Sequence, residues 1–428
     1  MPARLPYLAG ITGAAEPVEW AAVVNIVVQD KVSFRFDPQL LRRPGTGLVL
    51  LVSPGKHREL RHRGHERAFD LIRVTEDFTP EAIAAFAREV AGRALSSCRL
   101  LCHEEYTSVP VAAARELLGI GGTTPAQTAG FVDKIRMKEI AGRRVRVPRH
   151  LRWDRSAHAT APEEYLRTIV DSLGLPVFAK PVGGCGSLGT ARLDDPAHLA
   201  AWASSLPDGT DFEVDEFLEG TLYHVDSVVV GDEVLFTGVH RYLHPCHEYF
   251  SGKIVGTCSV PAGEPVHDRL VGFNERVLDA YGADRPDRSV THLEVFERRD
   301  GELVFLEIAA RAPGAMAPLV SEKRWGLNIE LAHFRLQLGE VPDLPGEPRC
   351  SAGFVYFPRP AGVVGELSLP ELASEHTVTR FVRPGERTRP SRDVSEAVAG
   401  VLLWNPDHQE LLADLERLDS ASPVQPVP

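Results

Sequence analysis

Uninterrupted apolar runs punctuate the first hundred positions: AVVNIVV at 22 to 28, GLVLLV at 47 to 52 and CRLLC at 98 to 102. Strands covered on both faces read this way, without polar alternation, and they belong to parallel sheets. Apolar residues at helical spacing follow at 79 to 91 and 108 to 118, so residues 1 to 120 predict an open parallel α/β domain.

TTPAQTAGFVDKIRMKEIAG, residues 123 to 142, opens on Thr/Pro start signals and predicts a helix that closes at Gly142. From about 148 to 260 strands alternate with Gly-rich turns. PVFAK (176 to 180) is one strand, and YHVDSVVVGDEVLFTGV (223 to 239) is a hairpin folded at Gly231-Asp232. Helices are expected at 266 to 280 and 327 to 338, VPDLPGEP (341 to 348) reads as a linker, and DSASPVQPVP (419 to 428) has the composition of a disordered tail. No internal repeat is visible.

The stretch LEVFERRDGELVFLEIAAR, 293 to 311, places two glutamates in strands that otherwise look buried. A two-residue Asp300-Gly301 loop would pair Arg299 with Glu302, Phe296 with Phe305, Val295 with Leu306 and Glu294 with Glu307. Carboxylates directly opposite on antiparallel strands are about 5 Å apart, which is destabilising unless a cation lies between them. Oxygen ligands of this kind suit Mg²⁺, held by one or two carboxylates together with substrate phosphates. The plainer alternative is an exposed edge glutamate paired with Arg298 or Arg299. Arg311, four residues beyond Glu307 on the same face with small Ala309 between them, adds a fixed cation suited to a carboxylate or phosphoryl oxygen.

PVFAKPVGGCGSLGT, 176 to 190, is a strand ending in Lys180 and followed by a loop with Gly183, Gly184, Gly186, Ser187 and Gly189. Such loops bring backbone amides close to phosphates. GCGSLG matches the dinucleotide pattern GxGxxG, but TARLDD continues as a strand and the next helix waits until about Pro196, which argues against a dehydrogenase. No GK[ST] ends the loop, so it is not a P-loop. Strand, glycine turn and returning strand describe a flap. DFEVDEFLEG, 211 to 220, is a connector whose backbone can pair with an adenine edge.

Composition removes several function classes. The chain has 428 residues, 43% hydrophobic and 25% charged, enough for two to four domains. A net charge of -12 opposes a nucleic-acid surface, and the basic runs at 57 to 67 and 143 to 150 are local. No apolar run is long enough for a membrane span, and MPARLPYLAGITGAAE is broken by Pro and Gly, so neither membrane insertion nor an export signal is expected. Six cysteines without a CxxC pair fit free thiols in the cytoplasm.

In order, Asp133-Lys134, VFAKP with its glycine loop, VDEFLEG, and the Glu294 and Glu307 pair with Arg311 resemble the ATP-grasp superfamily over about residues 100 to 340. The chain is most similar to the carboxylate-amine ligases that join amino acids, whose last motif reads Glu-x-Ala-x-Arg. The resemblance implies an ATP-grasp fold with an N-terminal α/β domain at 1 to 120, a linker helix and lid at 121 to 218, a catalytic subdomain at 219 to 342, a small C-terminal α+β domain at 343 to 418 and a tail at 419 to 428.

It further implies ATP and one or two Mg²⁺ ions as cofactors. Lys134 and Lys180 would contact phosphates under residues 183 to 189, the backbone of Asp215, Glu216, Phe217 and Leu218 would hold adenine, and Glu294 and Glu307 would carry the metal. Arg311 and the amides of Gly314 and Ala315 would grip the acyl phosphate or a substrate carboxylate. Leu222 stands where many relatives have a ribose-binding glutamate, which shifts attention to Asp226, and Ala309 replaces an Asn that often completes a second metal site. His244, Glu248 and Tyr249 in HRYLHPCHEYFSGK form a candidate substrate loop. The implied activity is amide formation between small-molecule carboxylate and amine substrates, in a protein whose relatives are commonly homodimers. The alternatives are a biotin-carboxylase-like enzyme using bicarbonate and a non-catalytic ATP-binding protein.

Overall fold

The computed structural model describes residues 23 to 421 and 424 to 427. The N-terminal stretch, for which no export signal is expected, lies outside the described residues, as do positions 422, 423 and 428 of the tail. The first sheet is parallel, in the order β3-β2-β1-β4, built from β1 Val23–Gln29, β2 Thr46–Val52, β3 Leu71–Val74 and β4 Arg99–Leu101. Its central strands are buried on both sides, as their apolar runs require. β3 carries only four residues, LIRV, and its weak pattern escaped the sequence reading.

The expected single helix at 123 to 142 is two. Pro125–Ala129 carries a Thr124/Gln127 capping box, and Lys134–Ala141 starts anew where the Asp133 carboxylate accepts from the amides of Ile135 and Arg136. The break at Gly130 and Asp133 sets Lys134 at the first turn of the second helix. Beyond it, a four-stranded antiparallel sheet runs β5-β8-β6-β7, with β5 His150–Arg152, β6 Val177–Pro181, β7 Ala191–Leu193 and β8 Phe212–Glu216. The glycine loop joins β6 to β7, so the returning strand read from TARLDD is present.

The largest sheet has eight antiparallel strands. It begins with β9 Gly220–Val230, β10 Glu233–Tyr242, β11 Val255–Ser259, β12 Arg288–Arg298, β13 Leu303–Ala309 and β14 Ser351–Pro358. The chain beyond the 341 to 348 segment first joins this sheet: β14 pairs with β11, and two later strands extend the same surface. The later strands are β15 Gly362–Leu367, β16 Glu375–Arg380, β17 Arg387–Thr388, β18 Ala397–Asn405 and β19 Val424–Val427, giving the order β13-β12-β9-β10-β11-β14-β18-β16 and a small sheet β17-β15-β19. The tail read as disordered thus continues a helix to Ser420 and supplies a strand paired through its backbone with β15.

Period-2 alternation divides the two faces of the large sheet. Tyr223, Val225 and Val229 of β9 join Leu293 and Val295 of β12 in a core against Met137, Ile140, Phe273 and Val277 of two helices. On the opposite face lie His224, Asp226, His292 and Glu294, roofed in part by Trp325, which ends the helix the PGAMAP turn leads into, and by Leu327 in the turn that follows. The free edge of β13 is covered where the Phe305 amide donates to the Arg146 carbonyl at 2.9 Å. Among the described residues no helix is long and apolar enough to cross a membrane.

Burial keeps the imidazoles of His103, His240 and His333 neutral by lowering them to about 3, about 4 and about 4. Their ordinary value is about 6.5. Groups with lowered folded values contribute stability that is full above the unfolded pKa and is lost as pH falls through the folded one. Glu330, which burial lifts to about 7, opposes the trend, as do the carboxyls of Glu104 and Glu307, which burial also raises. The urea midpoint is therefore expected to drop as pH falls from about 6.5 toward 4, and a midpoint constant over that range would contradict this assignment.

Candidate active site

The hairpin at the centre of the site brings Glu294 and Glu307 directly opposite, but by a different route from the expected one. The loop has three residues, with the Arg298 amide donating to Glu302 O, the Gly301 amide donating to Arg298 O, and Gly301 at φ +85°. This displaces the register by one, so Val295 pairs with Phe305 and Phe296 with Val304 instead of with Leu306 and Phe305. A bulge at Leu306 then restores it, and Glu294 meets Glu307. Phe305 and Ile308 consequently enter the core, while Leu306 and Glu307 both face the cleft. Had the bulge been absent, a one-residue slip would have turned Glu307 into that core, where an unpaired carboxylate costs several kcal/mol.

Burial raises the Glu307 carboxyl above the ordinary range; Lys134 opposes the shift and Glu294 adds to it. Burial pushes Glu294 the same way, but His292 and Tyr242 outweigh it and hold Glu294 low. Tyr242 donates to Glu294 Oε1 at 2.6 Å, and His292 Nε2 lies 3.5 Å from the same oxygen. One carboxylate is thus held ionised beside a second whose charge lacks full compensation. A donor set of two carboxylates, oxygen only, fits a hard divalent cation such as Mg²⁺.

Lys134 Nζ stands 3.7 Å from Glu307 Oε2 and donates to the Gly184 carbonyl at 2.5 Å, which ties the helix to the flap. Lys180 and Lys138 share two buried acids on β8. Lys138 Nζ lies 2.6 Å from Glu213 Oε1 and 2.7 Å from Asp215 Oδ1, and Lys180 Nζ is 3.3 Å and 3.1 Å from the same two side chains. Burial would raise Asp215, yet the two lysines hold it below the carboxylate range. Asp215, expected to act through its backbone, is therefore also a side-chain anchor for Lys180. Lys138 escaped the sequence reading; its signal was a second lysine one helical turn after Lys134.

These elements line one open cleft, whose space, counted out into the solvent at its mouth, is about 810 Å³. Lys134, Lys180, Gly183, Gly184, Gly186 and Ser187 line it beside Asp215, Glu216, Phe217 and Leu218, and Glu294 and Glu307 close it. Away from the charged end the walls are Phe178, Phe217, Leu222, Phe296 and Leu306, with His247 edge-on to both Phe178 and Phe217. An apolar slot beside exposed backbone suits a flat aromatic base. Asp226 does not reach it: the carboxylate is buried under the sheet between His224 and His292, so it is not available to a ribose.

Arg311 opens on a neighbouring cavity, about 570 Å³ with the solvent at its mouth included. Its Nη2 donates to Glu105 Oε2 at 3.0 Å and its Nη1 to the Ala312 carbonyl at 2.9 Å. Burial would lower the guanidinium, but Glu105 keeps it fully protonated. Glu105 begins the helix after β4, a contribution from the first sheet that no motif signalled. Gly314 and Ala315 line neither cavity, because the turn runs directly into a helix and the Ala315 carbonyl accepts from Arg35 Nε at 2.7 Å. The proposed substrate loop also divides: Tyr249 is buried in a core, His244 pairs with Asp419 at 2.8 Å, Glu248 stays outside both cavities, and only His247, together with Pro245 and Cys246, faces the cleft.

No family model matches the chain. It is 24% identical over 207 residues to the L-arginine-specific L-amino acid ligase of Bacillus subtilis, a match spanning 46% of this chain and 49% of that protein, about half the length of the relative. It is 28% identical over 251 residues to the D-alanine--D-alanine ligase of Polaromonas naphthalenivorans, covering 53% and 76% of the two chains. The crystal structure of an L-amino acid ligase from Bacillus licheniformis superposes with a TM-score of 0.71 at 16% identity, over 94% of this chain and 98% of that one.

Lys138 is fully buried with two carboxylates around it. Lys138→Met should lower stability by about 3 to 5 kcal/mol, the usual cost of removing one partner from a buried ion pair. Chemical denaturation followed by circular dichroism reads this directly, and an unchanged midpoint would show that Lys180 alone balances the two acids.

Proposed function

The chain has the ATP-grasp fold, and from that fold and its site we propose that it is an ATP-dependent carboxylate-amine ligase that joins amino acids, or a modified amino acid, through an acyl phosphate. The observation that carries the reading is the meeting of Lys134, Lys180 and the Glu294 and Glu307 pair in one cleft beside the Arg311 cavity.

A carboxylate is a poor acyl donor because it must expel oxide or hydroxide, and transfer of the γ-phosphoryl group of ATP gives it phosphate as a leaving group. An amine then attacks the carbonyl, leaving an amide, ADP and phosphate. Mg²⁺ held by Glu294 and Glu307 would offset phosphate charge. Lys134 and Lys180 contribute fixed positive charge at the same end of the cleft, and the flap from Gly183 to Gly189 presents amides and excludes water. Adenine would lie between Phe178, Phe217 and Phe296, against the backbone of Glu216 to Leu218.

The Arg311 and Glu105 pair favours an amino acid over bicarbonate. A zwitterion offers a carboxylate to Arg311 and an ammonium to Glu105, so each residue exchanges its internal partner for one on the substrate, whereas bicarbonate leaves Glu105 uncompensated. Six unpaired thiols are consistent with a cytoplasmic setting.

Phosphate release from ATP should require two amino acids, with the product identified by mass. Release that depends on bicarbonate and needs no amino acid would overturn the ligase assignment. Glu307→Gln is expected to abolish turnover while leaving the circular dichroism spectrum unchanged, and full activity in that variant would refute the metal assignment.

A further inference from the structure

Behind the acid pair lies a sealed polar network that the reaction outlined above does not use. Cross-strand register builds it: on β9 His224 and Asp226 share a face, β12 places Glu294 opposite His224 and His292 opposite Asp226, and β10 places His240 opposite His224. Asp226, His224 and His240 are 2%, 1% and 1% exposed. Gly238 leaves the space that Trp325 fills, since a Cβ there would lie 3.1 Å from Trp325 Cη2.

His292 spans two carboxylates. Its Nδ1 donates to Asp226 Oδ1 at 2.7 Å, and its Nε2 lies 3.5 Å from Glu294 Oε1, the oxygen that also accepts from Tyr242 at 2.6 Å. The inner oxygen of Glu294 is therefore committed to the protein, which leaves Oε2 for a ligand. Asp226 in turn is fixed from the other side by His224 Nδ1 at 2.9 Å.

We propose that Asp226 is a positioning residue for metal binding, acting through His292 to fix the Glu294 carboxylate. The inference rests on the reading that Glu294 and Glu307 hold the metal. A competing idea, that His224, Asp226 and His240 themselves bind a transition metal, conflicts with the ring geometry. The two imidazoles stack with planes 12° apart, so their nitrogen lone pairs run side by side instead of converging on one ion. Partners that orient a metal ligand typically contribute 10- to 100-fold in metal affinity.

The test is Mn²⁺ binding, followed by electron paramagnetic resonance, to the full chain with a non-hydrolysable ATP analogue. Metal-free analogue affinity and thermal unfolding are measured alongside. Asp226→Asn should weaken Mn²⁺ binding by about 10- to 100-fold with the metal-free nucleotide affinity unchanged. His292→Gln, which keeps a donor near Glu294 but loses the link to Asp226, should show the same loss and serves if the first variant does not fold. Wild-type Mn²⁺ affinity in either folded variant, with Glu294→Gln defective, would overturn the positioning role. Wild-type affinity in Glu294→Gln itself would instead overturn the metal assignment beneath it.

Discussion

Two carboxylates forced onto neighbouring strands and turned to the same buried face cannot stand without compensation, and much of the molecule is arranged around that problem. Like charges at this spacing repel, and burial adds to the cost of ionising both. The protein answers from three directions. Lys134 approaches Glu307 from a helix start, Tyr242 and His292 grip Glu294 from beneath, and the cleft in front stays open. The asymmetry matters: Glu294 is held below the carboxylate range while Glu307 is pushed above it, so the pair remains short of positive charge on its cleft side.

The four-stranded sheet β5-β8-β6-β7 meets the same requirement by another means. Lys180 is surrounded by Glu213 and Asp215, and Lys138 reaches the same two acids from the helix that carries Lys134. One helix therefore contributes a lysine that faces the cleft and a lysine that ties it to the four-stranded sheet. The apolar half of the cleft is supplied by both sheets, Phe178 and Phe217 from one and Leu222 and Phe296 from the other. The adjoining cavity draws Glu105 from the first sheet toward Arg311. Three of the four sheets, or the segments that follow their strands, thus contribute side chains to the region, and none encloses it alone.

Local pattern carried most of the fold. The buried runs of β1 and β2, the Gly231-Asp232 turn and the strand after the glycine loop follow from residues adjacent in the chain. The pairing of Glu294 with Glu307 was also legible, although two unforeseen deviations cancelled: a three-residue loop moved the register one way and the Leu306 bulge moved it back. Bulges leave little trace in alternation when both flanking residues are apolar. What escaped depends on distant segments. Glu105 reaches Arg311 across 206 positions and Lys138 reaches Asp215 across 77, and no spacing rule links them. His244, Glu248 and Tyr249 misled because a polar loop looks alike whether it lines a cavity or packs against a terminal helix.

The acid-bearing strand β13 ends the eight-stranded sheet, and its outer side is occupied by the segment that follows the Lys134 helix, through the bond from the Phe305 amide to Arg146. An unpaired outermost strand rich in Val, Phe, Leu and Ile is a template for foreign chains. Here the same crossing that brings Lys134 toward the carboxylates also blunts that template, so protection from intermolecular β-stacking comes with the geometry of the cleft and does not require added charges along the rim.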